Sequence, residues 1–440
     1  MHNTTGKSIM KYLIYIVCIF ALIPALCIRS ALAQGYQVHT YTENDGLPSS
    51  TVYDMAQDPS GRMWFATRSG VASYDGIGWT VYTTTDGLPG PNVLQLEIDS
   101  DGTIWVLNEV IASADTTRLI ISYLSDQNWQ SLPPLFVSRL LSPSAHISMA
   151  IKKDGDVAIP ALSIRDGGVY LWMEGLWSSL TPADGIQAPV HHLLAWNDLF
   201  YAATANGLAI ISNTGVDTTL ALNPNAPALL SLALEPAPTS TNTESDRVLW
   251  LLGEDWLGLY DNEVFTLLTG GLPFPPTGFA RKFQPDGLGG VFYGNIDGIF
   301  SLDAPNSVPQ SVGMVNGLIA KGATAFLLDR EYNVWIAGTR GVNKIYDRRF
   351  LNYRKMHGLL DDEVSAIARS GSGIVVLGHD TGLTIYDQGA LRKRTLNTNR
   401  VMDLRTDPDG NIWAACSNLG LARLDASGNI TRWYGRNDGL

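Results

Sequence analysis

The chain has 440 residues and a formal net charge of −12, from 30 basic and 42 acidic side chains. Hydrophobic residues make up 45% of it and charged residues 16%, which excludes a disordered chain and a highly charged coiled coil. At about 150 residues per domain, this length predicts two or three domains or a repeat array. The acidic balance argues against nucleic acid as a partner.

The first 33 residues have the pattern of a cleaved signal peptide. Lys7 and Lys11 begin it, residues 12–28 form an uncharged apolar run, and residues 31–33 read Ala-Leu-Ala. A basic start, a short apolar segment and small residues before the cleavage point are typical of secretory signals, and an uncleaved membrane anchor is the alternative. Cys416 alone of the cysteines would remain after cleavage, so no disulfide can form within the mature chain. We therefore expect a periplasmic or secreted protein.

The rest of the chain is a repeat with a period of about 40 residues. Gly46 precedes Trp64 by 18 residues, and Gly87 precedes Trp105 by the same distance. The anchor positions that follow one another at this period are Trp64, Trp105, Val157, Tyr201, Trp250, Phe292, Trp335, Val376 and Trp413. Self-similarity of this length is typical of solenoids and propellers.

Each repeat unit is predicted to contain four short strands. In the first unit they are residues 52–56, 63–67, 71–74 and 79–82, and a tight-turn sequence at residues 58–61 separates the first two. No helical periodicity of useful length is present in the mature chain. Four antiparallel strands in each repeat make the blade of a β-propeller, so we predict an all-β fold of four-stranded antiparallel blades.

Two segments resemble two-component regulator propeller repeats, and they read NDGLPSSTVYDMAQDPSGRMWFATRSGVASYDG and DREYNVWIAGTRGVNKIYD. The resemblance covers residues 36–440. That family supplies the periplasmic sensor region of bacterial hybrid sensor histidine kinases and of related diguanylate cyclases. Its members usually carry two seven-bladed propellers in series, followed by an immunoglobulin-like domain, a membrane helix and an output module.

The resemblance implies a seven-bladed ring over residues 34–348, with residues 349–440 as two further units that begin a second propeller. In this register residues 36–42 supply the outer strand of the blade built from residues 323–347, which removes an exposed sheet edge. A single wider ring, in which residues 36–42 pair with residues 421–425, is the alternative. The chain stops inside the opening of a tenth unit, so we expect it to be part of a longer sensor that continues into a transmembrane helix.

Candidate ligand-binding residues lie in the loops that join the second and third strands of the units. In an antiparallel blade these loops are at the same end as the loops that precede the first strand. The polar residues chosen from them are Arg68, Asn206, Asn295, Asp297, Arg340, His379 and Asp380. Polar side chains around the mouth of a ring predict a ligand surface, and solvated loop charges without a ligand are the alternative.

Two other patterns are interpreted as structural. The Asp-containing turns at residues 58–61, 99–102 and 407–410 lack the spaced carboxylates of a calcium loop, so we predict that Asp caps each turn. The tryptophans of the second strands are predicted to pack between blades and not to stack on sugars. The seven histidines and the single mature cysteine give no zinc-ligand pattern, and we predict no metal site and no cofactor.

The resemblance implies a non-catalytic periplasmic sensor region that recognises a small molecule or a glycan fragment. It would pass the signal to a membrane-anchored output domain, since no kinase or cyclase signature occurs in the chain, and a homodimer is compatible with this role. One alternative is a polysaccharide lyase or glycosidase with convergent carboxylates among Glu254, Asp255, Asp297 and Asp380. A protein-binding scaffold is the second alternative.

Overall fold

The structure is a computed structural model that describes residues 36–138, 147–164, 168–186, 189–222, 228–235, 248–261, 263–273, 282–346, 353–355, 358–387 and 390–440. The signal peptide predicted for the first 33 residues lies outside these ranges. Strands and short 3-10 turns make up the regular structure, and the described ranges contain no α-helix. Across the same ranges, no helix is long and apolar enough to cross a membrane.

The chain divides into a larger unit, Tyr36–Arg349, and a smaller unit, Phe350–Leu440. Among the described residues, the larger unit contains seven antiparallel sheets and the smaller unit contains two. We number the strands in chain order, and we call the first strand of each sheet the inner strand.

The larger unit begins with β1 (Val38–Tyr41). Its first three sheets consist of β2 (Val52–Gln57), β3 (Met63–Thr67), β4 (Gly70–Tyr74) and β5 (Trp79–Tyr82); β6 (Asn92–Ile98), β7 (Ile104–Ile111), β8 (Thr116–Ser125), β9 (Asn128–Ser131) and β10 (Leu135–Ser138); and β11 (Ile147–Asp154), β12 (Val157–Ile164), β13 (Gly168–Met173) and β14 (Leu176–Leu180).

The next four sheets consist of β15 (Val190–Trp196), β16 (Leu199–Thr204), β17 (Gly207–Ser212) and β18 (Gly215–Leu220); β19 (Leu229–Leu234), β20 (Leu249–Gly253), β21 (Trp256–Asp261) and β22 (Val264–Gly270); β23 (Lys282–Pro285), β24 (Val291–Asn295), β25 (Gly298–Leu302) and β26 (Gln310–Val312); and β27 (Ala325–Leu328), β28 (Val334–Gly338) and β29 (Gly341–Ile345), to which β1 is added.

The turns of the first sheet show why these residues form hairpins. Oδ1 of Asp58 accepts hydrogen bonds from the backbone N–H groups of Ser60 (2.9 Å) and Arg62 (3.0 Å), which fixes the turn between β2 and β3. The turn between β3 and β4 ends at Gly70, whose φ is +126° and whose position places a Cβ atom 2.3 Å from the carbonyl oxygen of Tyr82. The predicted capping role of Asp in these turns is confirmed.

The second sheet departs from the predicted four strands, because β8 pairs with two strands along one edge. The first part of β8 pairs with β10, in the register Thr116↔Ser138, and the last part pairs with β9, in the register Ser125↔Asn128. At ten residues, β8 is long enough to hold both short strands end to end, so this sheet has five strands.

The seven sheets of the larger unit pack in a closed series. The inner strands contact one another in the order β2, β6, β11, β15, β19, β23 and β27, and β27 contacts β2 again. The sheet of β27 is completed by β1, which pairs antiparallel with β29 in the register Val38↔Ile345. The predicted pairing of residues 36–42 with the end of the seventh unit is confirmed, and the alternative pairing with residues 421–425 is wrong.

The hydrophobic core lies between neighbouring sheets. Trp64 packs with Val93 and Val106 of the second sheet, and Trp335 packs with Phe65 of the first sheet. These two indole rings are 3% and 2% exposed, respectively. The prediction that the tryptophans of the second strands pack between blades is therefore confirmed for the larger unit.

One predicted anchor is wrong. Val157 is 65% exposed at the start of β12, and Ala161 is the buried residue of β12 that pairs with Ala150 in the position where Trp64 pairs with Ala56. The hairpin of β11 and β12 extends past the point where the other sheets turn, so a count based on the repeat period stops four residues early.

The smaller unit has two sheets that pack against each other. They consist of β30 (Ala366–Arg369), β31 (Val375–His379), β32 (Gly382–Asp387) and β33 (Ala390–Thr395), and of β34 (Val401–Thr406), β35 (Ile412–Cys416), β36 (Gly420–Leu424) and β37 (Ile430–Tyr434). Their shared core includes Val376, Ile385, Leu404 and Ala414.

Candidate functional site

The turn between the second and third strands of a sheet lies beside the start of the inner strand. The backbone N–H of Arg68 donates to the carbonyl of Thr51 (3.1 Å), and that of Ala205 donates to Pro189 (3.2 Å). The same pairing joins Glu254 to Ala228 at 3.1 Å. The prediction that both kinds of loop lie at one end of the blade is confirmed, and we call this the loop end.

Five of the predicted ligand-binding residues belong to the larger unit, where they are distributed over four sheets. Arg68, Asn206 and Arg340 are exposed in turns at the loop end. Asn295 is buried at the end of β24, and its Oδ1 accepts the backbone N–H of Asp297 at 2.9 Å. A carboxylate oxygen of Asp297 lies 3.8 Å from Nζ of Lys321.

The other two predicted residues belong to the smaller unit. His379 is fully buried, with Nδ1 2.7 Å from the carbonyl of Glu363 and Nε2 2.9 Å from the hydroxyl of Thr384. Asp380 is partly exposed, and its Oδ1 lies 3.5 Å from Nη1 of Arg400. Both side chains are thus engaged with neighbours in their own unit. That any of these seven residues binds a ligand stays a prediction.

A polar group that the sequence analysis did not single out lies at the loop end of the first two sheets. Nδ2 of Asn92 donates to a carboxylate oxygen of Glu109 at 2.6 Å. Burial raises the pKa of the Tyr53 phenol, the charge of Arg68 opposes that rise, and the charge of Glu109 adds to it. These electrostatic effects place Arg68 and Glu109 near the same phenol. We call Tyr53, Arg68, Asn92 and Glu109 the mouth group.

A second feature concerns the inner strands, each of which has a neighbouring strand on one side only. Their backbone N–H groups on the other side need acceptors, because an unpaired buried N–H is costly. Side chains from the preceding sheet supply them. The bonds are Leu96 N–H to Oδ2 of Asp54 (3.1 Å), Met149 N–H to Oε1 of Gln95 (2.6 Å), Leu193 N–H to Oγ of Ser148 (2.9 Å) and Leu232 N–H to Nδ1 of His192 (3.1 Å).

The strand registers place one residue from each inner strand at the position of Asp54. These seven residues, which we call the inner ring, are Asp54, Gln95, Ser148, His192, Ser231, Lys282 and Ala325. Gln95, Ser148, Ser231 and Ala325 are buried, whereas Asp54, His192 and Lys282 keep partial exposure. The titratable members of the ring are therefore those that solvent reaches.

Glu97 lies two residues beyond Gln95 on β6 and adds a second carboxyl group beside the inner ring. Burial and the charge of Asp54 raise the pKa of Glu97 to about 8, with Lys282 opposing the rise. Burial also raises the pKa of Asp54, again against the effect of Lys282. For His192, burial and Lys282 both lower the pKa. Asp54, Glu97, His192 and Lys282 thus interact electrostatically, and we call them the central cluster.

Metal ligation and paired-carboxylate chemistry find little support in the geometry. Within the described ranges, no three side chains of His, Cys, Asp or Glu are grouped so that they could hold a metal ion. Of the carboxylates considered for an enzyme, Glu254 and Asp255 adjoin each other after β20, and Asp297 follows β24. Asp380 belongs to the smaller unit.

Comparison with known proteins bears on the repeats themselves. Residues 46–69 and 395–418 match the family described as Two component regulator propeller. The chain carries two-component regulator propeller repeats. One matched segment lies in the larger unit and the other in the smaller unit, so the repeats occur in both. The family and the all-β propeller fold predicted from the sequence are confirmed.

Solved structures with the same fold include two extracellular domains from B. thetaiotaomicron, of proteins described as hybrid two-component systems. For BT3049 the TM-score is 0.56 at 16% identity, and the match covers 91% of this chain and 55% of that one. For BT4673 the TM-score is 0.48 at 16% identity, with 90% and 53% covered. The propeller chain thus spans about half the length of these relatives. No curated protein matches it.

Proposed function

We propose that the chain is a non-catalytic sensory region of a signal-transduction protein and that its larger unit binds a small molecule or a glycan fragment. The observation that carries this proposal is the mouth group, in which four polar side chains of two neighbouring sheets meet at the loop end. Ligand sites combine a concave surface with a few polar groups that fix orientation. Tyr53 adds an aromatic face beside them.

The likeness to extracellular domains of hybrid two-component systems supports the sensory role. We infer that the chain is exported by its signal peptide to the periplasm and is joined to a membrane-anchored kinase or cyclase module. Ligand binding would then bias the propeller between two arrangements, and the output module would respond to that bias. Neither a cofactor nor nucleic acid is needed for this role, and a homodimer is compatible with it.

A thermal-shift screen with small metabolites and neutral and anionic oligosaccharides tests the proposal. We expect a compound that raises the unfolding temperature of the chain and remains chemically unchanged on incubation with it. Arg68→Ala and Asn92→Ala should each weaken that compound's binding by about tenfold, since each removes a polar contact worth about 1–2 kcal/mol.

The matched control is Arg62→Ala, because Arg62 belongs to the turn between β2 and β3, away from the loop end. It should leave the binding of the compound unchanged. Turnover of an oligosaccharide would overturn the non-catalytic role in favour of a lyase or glycosidase. Equal loss of binding in Arg62→Ala and Arg68→Ala would overturn the mouth group as the site.

A further inference from the structure

The central cluster contains two carboxyl groups and one ammonium group. Nδ1 of His192 accepts the N–H of Leu232 at 3.1 Å, so this nitrogen carries no proton. Burial and the charge of Lys282 lower the pKa of the imidazole, which keeps the ring neutral at physiological pH. With both carboxyl groups ionised, the cluster would therefore hold one negative charge that Lys282 does not balance.

The register explains how Lys282 serves both carboxyl groups. Lys282 and Asp54 occupy equivalent positions on β23 and β2, and the strand between them, β27, contributes only the small side chain of Ala325 to the inner ring. The charge of Lys282 consequently opposes the pKa rise of Asp54 and also that of Glu97. One ammonium group is shared by two acids.

Other cations near Glu97 are engaged elsewhere. On the neighbouring strand β11, Nζ of Lys152 donates to the carbonyl of Asp198 at 2.7 Å, and Lys153 forms an ion pair with Asp101. The remaining acid of the second sheet, Glu109, accepts the amide of Asn92 at the loop end. Lys282 is thus the cation that affects Glu97, and Asp54 is the acid that does.

An uncompensated charge in a partly buried site is costly, and proteins avoid it by taking up a proton or a counter-ion. Here the proton is held by Glu97, whose pKa is about 8. A bound cation would remove the same penalty and add hydrogen bonds to the carboxylates. A divalent metal ion would need six to eight oxygen ligands, and no such grouping occurs in the described ranges.

We propose that the central cluster binds a ligand group with a single positive charge, namely a primary ammonium, with Asp54 and Glu97 as its acceptors. This inference rests on the sensory function proposed above, because it names the chemical class of the ligand. The ammonium takes the place of the proton on Glu97, which is released to solvent. His192 Nε2–H and Lys282 remain as donors for the rest of the ligand.

Competition with a proton makes the affinity depend on pH in a defined way. Since the cation binds the ionised form of Glu97, its apparent Kd rises at low pH by the factor by which the protonated form dominates. With a pKa of about 8, the Kd should fall about 90-fold between pH 6 and pH 9, and most of that fall should occur below pH 8.

Isothermal titration of the full chain with methylammonium chloride at pH 6, 7, 8 and 9 tests this proposal. The reference titration uses sodium chloride at the same ionic strength. We expect heat from methylammonium that grows with pH, together with uptake of the released proton by the buffer. No binding of methylammonium at pH 9, or the same heats from sodium chloride, would overturn the proposal.

Two variants make the test specific. Glu97→Gln removes the titrating carboxylate at nearly constant shape, so it should weaken binding at pH 9 at least tenfold and abolish the pH dependence. Glu331→Gln makes the same chemical change at an exposed turn residue and should behave like the parent chain. A pH dependence that survives in Glu97→Gln would contradict the assignment of Glu97.

Lys282→Gln gives an independent measurement if Glu97→Gln does not fold. Without its ammonium group the cluster lacks a second positive charge, so methylammonium should bind several-fold more tightly than to the parent chain. Unchanged or weaker binding would overturn the proposal. Failure of methylammonium to bind, with the response to a screened compound still sensitive to Arg68→Ala, would reject this inference and leave the sensory function standing.

Discussion

The indole Nε1 of Trp335 donates a hydrogen bond of 2.7 Å to Oδ2 of Asp329, six residues earlier in the chain. The same bond recurs in the pairs Trp64–Asp58, Trp105–Asp99 and Trp413–Asp407. Because Oδ1 of Asp329 also accepts the backbone N–H of Asn333 (2.7 Å), one carboxylate holds both the turn and the packed ring. The Asp turns and the tryptophan anchors of the repeat are therefore one structural unit.

Replacement of Trp335 by Ala should cost about 3–5 kcal/mol of unfolding free energy, as expected for the loss of a buried aromatic side chain. The ring is stacked on Tyr41 with 5.4 Å between centroids, so its loss affects β1 as well as the first sheet. Arg340→Ala, in the exposed turn five residues later, should cost less than about 1 kcal/mol. Comparable losses for both in a urea titration would contradict the strand register.

Gln95→Met should destabilise the larger unit by about 1–3 kcal/mol, because the N–H of Met149 is left without an acceptor between two sheets. Methionine keeps the approximate shape of glutamine, so the loss reports the hydrogen bond and not a cavity. Hydrogen exchange read at the Met149 amide gives the direct measurement. Unchanged protection of that amide in the variant would show that the side chain is not its acceptor.

The stability of the chain should fall as the pH rises from about 5 to about 8. The pKa of Glu97 lies at about 8 in the folded protein and near its ordinary value of 4.5 in the unfolded chain. Between these values the folded state holds a proton that the unfolded chain has released, so each rise in pH favours unfolding. The contribution should be on the order of 2 kcal/mol, less than the full shift because Glu97 is partly exposed.

Urea denaturation at pH 5, 6, 7 and 8 measures this contribution of Glu97. Glu97→Gln should remove most of the fall in this window, and the exposed Glu331→Gln should keep it. An equal fall in the parent chain and in Glu97→Gln would assign the effect to another group.

Deletion of residues 36–42 should expose the outer edge of β29 and destabilise the seventh sheet. Tyr41 is buried against Trp335 and Trp79, so the deletion also removes an aromatic contact between the seventh and first sheets. We expect a lower unfolding temperature and self-association, because an unpaired strand edge is a template for pairing with another chain. Light scattering and a melting curve provide the measurements, and a stable monomer with an unchanged melting temperature would be the contrary result.

The sequence was sufficient for the parts of the fold that depend on local signals. The four strands of the first sheet agree with the prediction to within one residue, since Asp-Pro-Ser-Gly and Arg-Ser-Gly turns delimit them. The anchor at Val157 failed because the third unit has a longer hairpin and lacks the tryptophan and the Asp turn. The extra strand of the second sheet depends on the length of β8, which the period does not encode.

The inner ring escaped prediction because its members share a position and not a chemical type. Asp54, Gln95 and Lys282 each stand ten residues before an anchor, Trp64, Trp105 and Phe292, respectively. A comparison of the units at that offset would have detected an alignment of acid, amide and ammonium groups. Their electrostatic interaction, however, depends on the closed series of sheets, which brings β23 near β2 across 228 positions of the chain (282 − 54).

The pairing of β1 with β29 sets a clock for the newly made polypeptide. Thr40 and Asn343 are hydrogen-bonded although they stand 303 residues apart. At a synthesis rate of about 5–20 residues per second, β1 waits about 15–60 s for its partner strand to be made. The other sheets of the larger unit are built from contiguous hairpins and can form as they emerge, so joining the two ends is the last and slowest step. A factor that shields β1 during this interval would raise the yield of folded protein more than one that acts later.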